Sequence, residues 1–194
     1  MHIVERVKNI LMTPKTEWDV INGETATPQS LLMGYILPLA IVAAVGPILT
    51  GLLFGGIYGM TYYIALGIIA FIASIVTFYV TVIIIDMLAP SFGSEKNLGK
   101  SAQLVAYSGT PSYIGSLLSF IPVIGMVISL AAWAYGIYIM YLGIGPLKKT
   151  PEDKKVVYMI IAFVIMIALY FIIVAILTGI AVASFGIGAA GLFR

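Results

Sequence analysis

The chain has 194 residues, of which 61% are hydrophobic and only 9% are charged, and its mean hydropathy is +1.11. A soluble globular domain carries about 25% charged residues, so this composition excludes a soluble protein and indicates an integral membrane protein. There is no cysteine and a single histidine, His2. We therefore expect no disulfide framework, no metal site and no cofactor.

Residues 1–29 carry charges of both signs and lack the apolar core of a signal peptide, so we expect a cytoplasmic amphipathic segment. Apolar residues recur there at helical spacing: Ile3, Val4, Val7, Ile10 and Leu11. Such a helix either binds the membrane surface or a partner, or passively covers the ends of the spans. Trp18 is expected at the membrane interface.

A hydrocarbon core of about 30 Å requires roughly 20 apolar residues in a helix. Spans are predicted at about 31–54, 62–88 and 156–183. Thr27 is the expected N-cap of the first, which Pro38 and Pro47 should kink or break.

The 47 uncharged residues between Lys100 and Lys148 are too many for one crossing, since a single helix of that length would be about 70 Å long. They predict two spans, at about 101–120 and 122–145, with a turn near 119–123 around Pro122. The expected fold is all-α, a five-span bundle forming one domain over residues 1–194.

The basic residues test this count. With five spans, nine of the ten lysines and arginines fall on one side, and only Arg194 falls on the other. The positive-inside rule then places the N-terminus in the cytoplasm and the C-terminus outside.

The third predicted span contains a proline that should disturb it. Pro111 would free the carbonyl of Tyr107, and hydroxyls that could bond this group lie at Ser108, Thr110 and Ser112. Small residues also recur at three- and four-residue spacing in spans three and four. The segment is thus either a tightly packed hairpin or a kinked helix that lines a polar cavity.

Asp86 is the one acidic residue in or beside a predicted span, away from the loops. It is either a structural acid at the cytoplasmic interface, paired with Lys96 or Lys100, or an ion or proton site. The loop KKTPEDKK supplies candidate lipid-headgroup contacts at Lys148, Lys149, Lys154 and Lys155, although a stop-transfer role explains these lysines equally well. No catalytic motif is present, so we expect no enzyme.

Several short motifs occur together in a family-specific order. They are AYSGTP in span three, an IPVIG corner, IYIMYLGI at the end of span four, the KTPEDK loop, and MTPKTEWDVI near the start. In this order the chain resembles the Yip family of Ypt/Rab-interacting multispan membrane proteins, in its short prokaryotic branch.

The resemblance implies a five-span bundle in a prokaryotic plasma membrane, with the N-terminus in the cytoplasm. The sequence holds neither a long N-terminal domain nor a DLYGP-type motif, so a Rab-type GTPase partner is not expected. Nucleic acid is not expected as a partner either.

Two functions remain open. The first is a non-enzymatic membrane scaffold or adaptor that acts through helix packing, contacts with the lipid bilayer, homo-oligomerisation or a membrane-protein partner. The second is a transporter or channel for an ion or small solute that uses the proline-kinked spans one and three together with Asp86.

Overall fold

The computed structural model describes residues 2–54, 59–121 and 123–185, with side chains to residue 180, and all regular structure in these ranges is helical. Two short helices open the chain, α1 (Ile3–Met12) and α2 (Pro14–Asn22). Proline begins α2, where its missing N–H has no intrahelical partner to lose. The helical prediction for the N-terminal segment is confirmed.

Among the described residues, four helices are long and apolar enough to cross a membrane. They are α3 (Pro28–Phe54), α4 (Gly59–Leu88), α7 (Ile124–Lys148) and α8 (Glu152–Phe185). Thr27 caps α3 as predicted, in a reciprocal capping box with Ser30. The helix continues through Pro38 and Pro47, so the predicted alternative of a break is wrong. Its irregularity is a wide turn at Leu32–Ile36, just before Pro38.

The third predicted span is divided. Helix α5 (Leu98–Ser108) ends at Gly109, α6 (Thr110–Leu117) follows at once, and a 3₁₀ turn (Leu118–Phe120) completes the segment. Pro111 lies in the first turn of α6, where it cannot donate the hydrogen bond that would continue α5. Neither piece alone is long enough to span, so the described residues contain four candidate crossing helices by length and composition, and the predicted count of five is not confirmed.

The chain then reverses between the 3₁₀ turn and α7, within the predicted turn at 119–123. Val123 adopts a positive φ of 62°, which non-glycine residues adopt only rarely. Pro122, the residue on which this prediction rested, lies outside the described residues.

Small residues let α6 and α7 approach closely. A Cβ on Gly115 of α6 would lie 2.8 Å from the Cβ of Ala132 in α7. The end of α5 also comes close to α7, since a Cβ on Gly136 would lie 2.9 Å from the carbonyl oxygen of Ser108. The hydroxyl of Ser129 donates to the carbonyl of Gly115 at 3.2 Å. The packed-hairpin interpretation is therefore confirmed for these two helices.

The core is concentrated at the end of the bundle where α1 and α2 lie. Its fully buried side chains include Ile10, Trp18, Ile85, Ile139 and Tyr158. Along α8, by contrast, no described side chain beyond Ala162 is buried. The bundle is thus closely packed at one end and more open toward the other.

Candidate functional site

Helix α2 is anchored in the bundle by one aromatic side chain. Trp18 is 1% exposed, and its Nε1 donates to the carbonyl oxygen of Ile139 in α7 at 3.0 Å. Space for the indole exists because residue 143 is glycine; a Cβ there would lie 2.6 Å from Cζ2 of Trp18. Trp18 was expected at the membrane interface but is instead buried between helices. Its ring packs against apolar neighbours while its N–H finds a hydrogen-bond acceptor.

Arg6, which lies in α1, links this helix to α2. Its guanidinium is buried, lies 2.5 Å from the carboxylates of both Glu17 and Glu24, and stands 5.1 Å from the ring centroid of Tyr107. Burial lowers the pKa of Arg6, but the hydrogen bond to Glu24 and the nearby carboxylates outweigh it, so the pKa lies above its ordinary value. The charge is thus fixed, and it holds α1, α2 and the following segment together.

The C-terminal end of α2 is held by donors from α5. The ammonium of Lys100 donates to the carbonyls of Asn22 at 2.6 Å and of Glu24 at 3.0 Å. The side-chain amide of Gln103 donates to the carbonyls of Ile21 and Glu24, at 3.3 and 3.2 Å. These contacts satisfy carbonyls that a helix end leaves without intrahelical partners.

Asp86 lies in a buried ion pair near this end of the bundle. Its Oδ1 is 3.0 Å from the ammonium of Lys148 and accepts a hydrogen bond from Ser101, also at 3.0 Å. Lys148 donates further to the hydroxyl of Ser101 and the carbonyl of Asn97. The predicted partners Lys96 and Lys100 are wrong, because the last turn of α7 brings Lys148 back against α4 and α5.

The predicted contact of Lys148 with lipid headgroups is wrong, because its side chain is buried and its ammonium faces Asp86. Lys155 is buried too, paired with Glu152 at 2.5 Å and 5.9 Å from the ring centroid of Tyr141. Lys149 and Lys154 are exposed, so headgroup contact stays a prediction for these two.

The kink at Pro111 has the predicted chemistry. The hydroxyl of Thr110 lies 2.7 Å from the carbonyl oxygen of Tyr107 and donates to it. Thr110 also shares a 2.7 Å hydrogen bond with the phenol of Tyr35 in α3. Ser108 bonds instead to the carbonyl of Val105, at 3.4 Å. Thr110 therefore satisfies the freed carbonyl and ties the kink to the neighbouring span.

A cavity of about 720 Å³ lies beside this kink. Ser108 and Ser112 line it, whereas Asp86, Tyr107, Thr110 and Pro111 do not. One face of α6 packs on α7, and its serines reach a cavity whose described lining is mostly apolar, so the predicted polar pathway stays a prediction.

Three of these anchors escaped sequence analysis. Arg6 was counted only as a charge on one side of the membrane, Lys148 was predicted as a lipid-headgroup contact, and Trp18 was assigned to the interface. The glycine at 143 was a signal for a closely packed partner, but nothing in the sequence says which side chain fills the space. Among the described residues, no group of three or more histidine, cysteine or acidic residues could hold a metal ion.

Comparison with known proteins agrees with this architecture. The model of the Yip1 domain matches residues 8–176, which include the docked α2, the kinked segment and the ion pair. No curated protein and no solved structure matches the chain significantly. Because the match covers most of the sequence, this multispan helical membrane protein belongs to the Yip1 domain family.

Proposed function

We propose that the protein is a non-enzymatic scaffold or adaptor in a prokaryotic plasma membrane, presenting its N-terminal helices to a cytoplasmic or membrane partner. Members of the Yip1 domain family are generally non-enzymatic membrane trafficking proteins, which supports the class of function. The support for a specific role as a scaffold is the arrangement of the N-terminal helices.

The observation that carries the proposal is that α1 and α2 are fixed to the bundle by one face and exposed on the other. Arg6 and Trp18 hold the inner face. The outer face carries exposed apolar side chains, Val4, Met12 and Val20, interspersed with exposed charges. Because this apolar surface is already held rigidly, its side chains and backbone need not be ordered when a partner binds. The loss of conformational entropy on binding is therefore small.

The proposed topology has five crossings with the N-terminus in the cytoplasm. Helices α5 and α6 and the 3₁₀ turn together run from Leu98 to Phe120, about 34 Å at 1.5 Å per residue, which matches the hydrocarbon core. Thr110 supports this crossing, because the carbonyl freed at the kink has a hydrogen-bond partner and needs no water.

The test places a photo-crosslinking amino acid at Met12 in native membranes. We expect a discrete protein adduct, either with another protein or with a second copy of this chain. The control position is Ile172, which is also apolar and exposed but lies on α8, where we expect contact with lipid. If Met12 gives no protein adduct, or only the pattern seen from Ile172, the scaffold proposal fails.

The cavity is the one observation that favours the transport alternative. Because Asp86 does not line it and is already paired with Lys148, a pathway through the cavity would depend on its hydroxyls. Such a transporter would release solute from liposomes, and Ser112→Leu would abolish the flux while the exposed-face substitution Val164→Leu would not. Absence of flux across a broad solute panel would remove this alternative.

A further inference from the structure

The cavity beside the kink lies at the depth of the spanning helices. All four helices long enough to cross the membrane contribute to its wall, for example through Ile36, Thr77, Gly136 and Met166. Its volume of about 720 Å³ falls within the range of ligand pockets, roughly 300–1,000 Å³.

One wall of the cavity carries hydroxyl groups. Ser112, Ser116 and Ser119 line it from α6 and the 3₁₀ turn, and no hydrogen bond joins their hydroxyls to another residue that the structure describes. From α4, Thr77 lines the cavity, and its buried hydroxyl oxygen has no partner among the described residues. A hydroxyl without a hydrogen bond is unfavourable in a medium of low dielectric, so this part of the lining favours a ligand with polar atoms.

The part of the lining that α8 contributes is mostly apolar, with Phe163, Met166 and Ile167 beside the phenol of Tyr170. None of the described lining residues is acidic, basic or a histidine. A charged ligand would be left without a counter-charge in a medium of low dielectric, which is costly within a membrane. The cavity therefore suits an uncharged molecule with a large hydrocarbon part and a few oxygen atoms.

The large lining side chains of α7 and α8 show where such a molecule enters. Trp133, Tyr170 and Phe171 are 46%, 47% and 66% exposed, so the cavity opens on the side of the bundle formed by these helices. Both are candidate spans, and the medium outside them at this depth is lipid. The occupant is thus drawn from the bilayer.

We propose that this cavity is a binding site for an uncharged bilayer lipid, whose hydrocarbon chain lies against α8 and whose hydroxyl or ester oxygens bond to the serines of α6 and to Thr77. The absence of charge in the lining distinguishes this site from a headgroup site for anionic lipid. Its occupancy is independent of whether the N-terminal helices recruit a partner.

The experiment uses the full chain in phosphatidylcholine vesicles with a photoactivatable diacylglycerol as the probe. Two variants fill the cavity with an aromatic ring, Ser112→Phe and Ala70→Phe; the matched control, Val164→Phe, adds the same ring to an exposed position outside the lining. Helicity by circular dichroism and elution as a single species show that each variant is folded.

We expect the probe to label cavity peptides, and each filling variant to reduce labelling by about tenfold, a difference of 1.4 kcal/mol in binding. Val164→Phe should leave labelling unchanged, whereas Thr77→Val, which keeps the volume but removes the hydroxyl, should reduce it by about threefold. A photoactivatable phosphatidic acid should label the cavity poorly.

Equal labelling of filled and control variants would mean that the lipid lies on the outer surface and would overturn the proposal. Equal cavity labelling by phosphatidic acid would overturn the preference for an uncharged lipid. The two filling substitutions lie in different helices. If one variant misfolds, the other still tests the proposal.

Discussion

Replacing Lys148 with methionine should be among the most destabilising single substitutions in this chain. The substitution keeps most of the side-chain volume but removes the ammonium that lies 3.0 Å from Asp86. Both side chains are buried, at 0% and 7% exposure, so an unpaired carboxylate would remain out of water. Breaking a buried ion pair by removing one partner costs about 3–5 kcal/mol in the free energy of unfolding.

The double variant Asp86→Leu/Lys148→Met should recover most of this loss, because replacing both charges by apolar groups is often neutral or stabilising. The neighbouring Lys149 provides the control. Its ion pair with Glu95 is exposed, so Lys149→Met should change stability by less than about 1 kcal/mol. The free energy of unfolding is measured by SDS titration in mixed micelles for the wild type, the double variant and the single variants Asp86→Leu, Lys148→Met and Lys149→Met.

Equal, small effects of Lys148→Met and Lys149→Met would show that the buried ion pair does not stabilise the fold. The ion pair would also be refuted if the double variant were as unstable as the sum of its single substitutions. That sum would show that the two side chains do not interact, and that Asp86 does not depend on Lys148.

Three further substitutions test the contacts that hold the bundle together. Trp18→Ala should lower the free energy of unfolding by about 3–5 kcal/mol, since it empties a buried site, whereas Val20→Ala on the exposed face of α2 should have little effect. Thr110→Val should cost about 1–3 kcal/mol by unpairing the carbonyl of Tyr107, and Thr110→Ser should restore it. Gly136→Ala should cost about 1–3 kcal/mol through its clash with α5, while Gly179→Ala, which meets nothing within 4 Å, should be neutral or stabilising. If a test substitution and its control changed the free energy of unfolding equally in the same assay, the stabilising role of that contact would be contradicted.

The features predictable from sequence were those set by local chemistry. Thr27 before Pro28 predicted the start of α3, and Pro111 predicted a disturbance of span three and the free carbonyl of Tyr107. Local hydroxyls limited the candidates for that carbonyl to three, and the structure selects Thr110.

The features missed were set by contacts between distant parts of the chain. Lys148 was assigned to a loop because it follows an apolar run, but 62 residues separate it from the aspartate that it meets. Trp18 lies 121 residues from the carbonyl that it bonds. A hydropathy pattern locates such residues along the membrane normal but does not identify their partners, which depend on how the helices are arranged around one another.

Cysteine labelling tests whether the divided segment α5–α6 crosses the membrane as a fifth span. The sequence has no cysteine, so Lys96→Cys before this segment and Val123→Cys after it each provide a single reporter. With five spans and a cytoplasmic N-terminus, a membrane-impermeant maleimide added to intact cells should label Val123→Cys, and should label Lys96→Cys only after permeabilisation. Labelling of both positions from the same side would show that α5 and α6 do not cross, and would contradict the five-span topology.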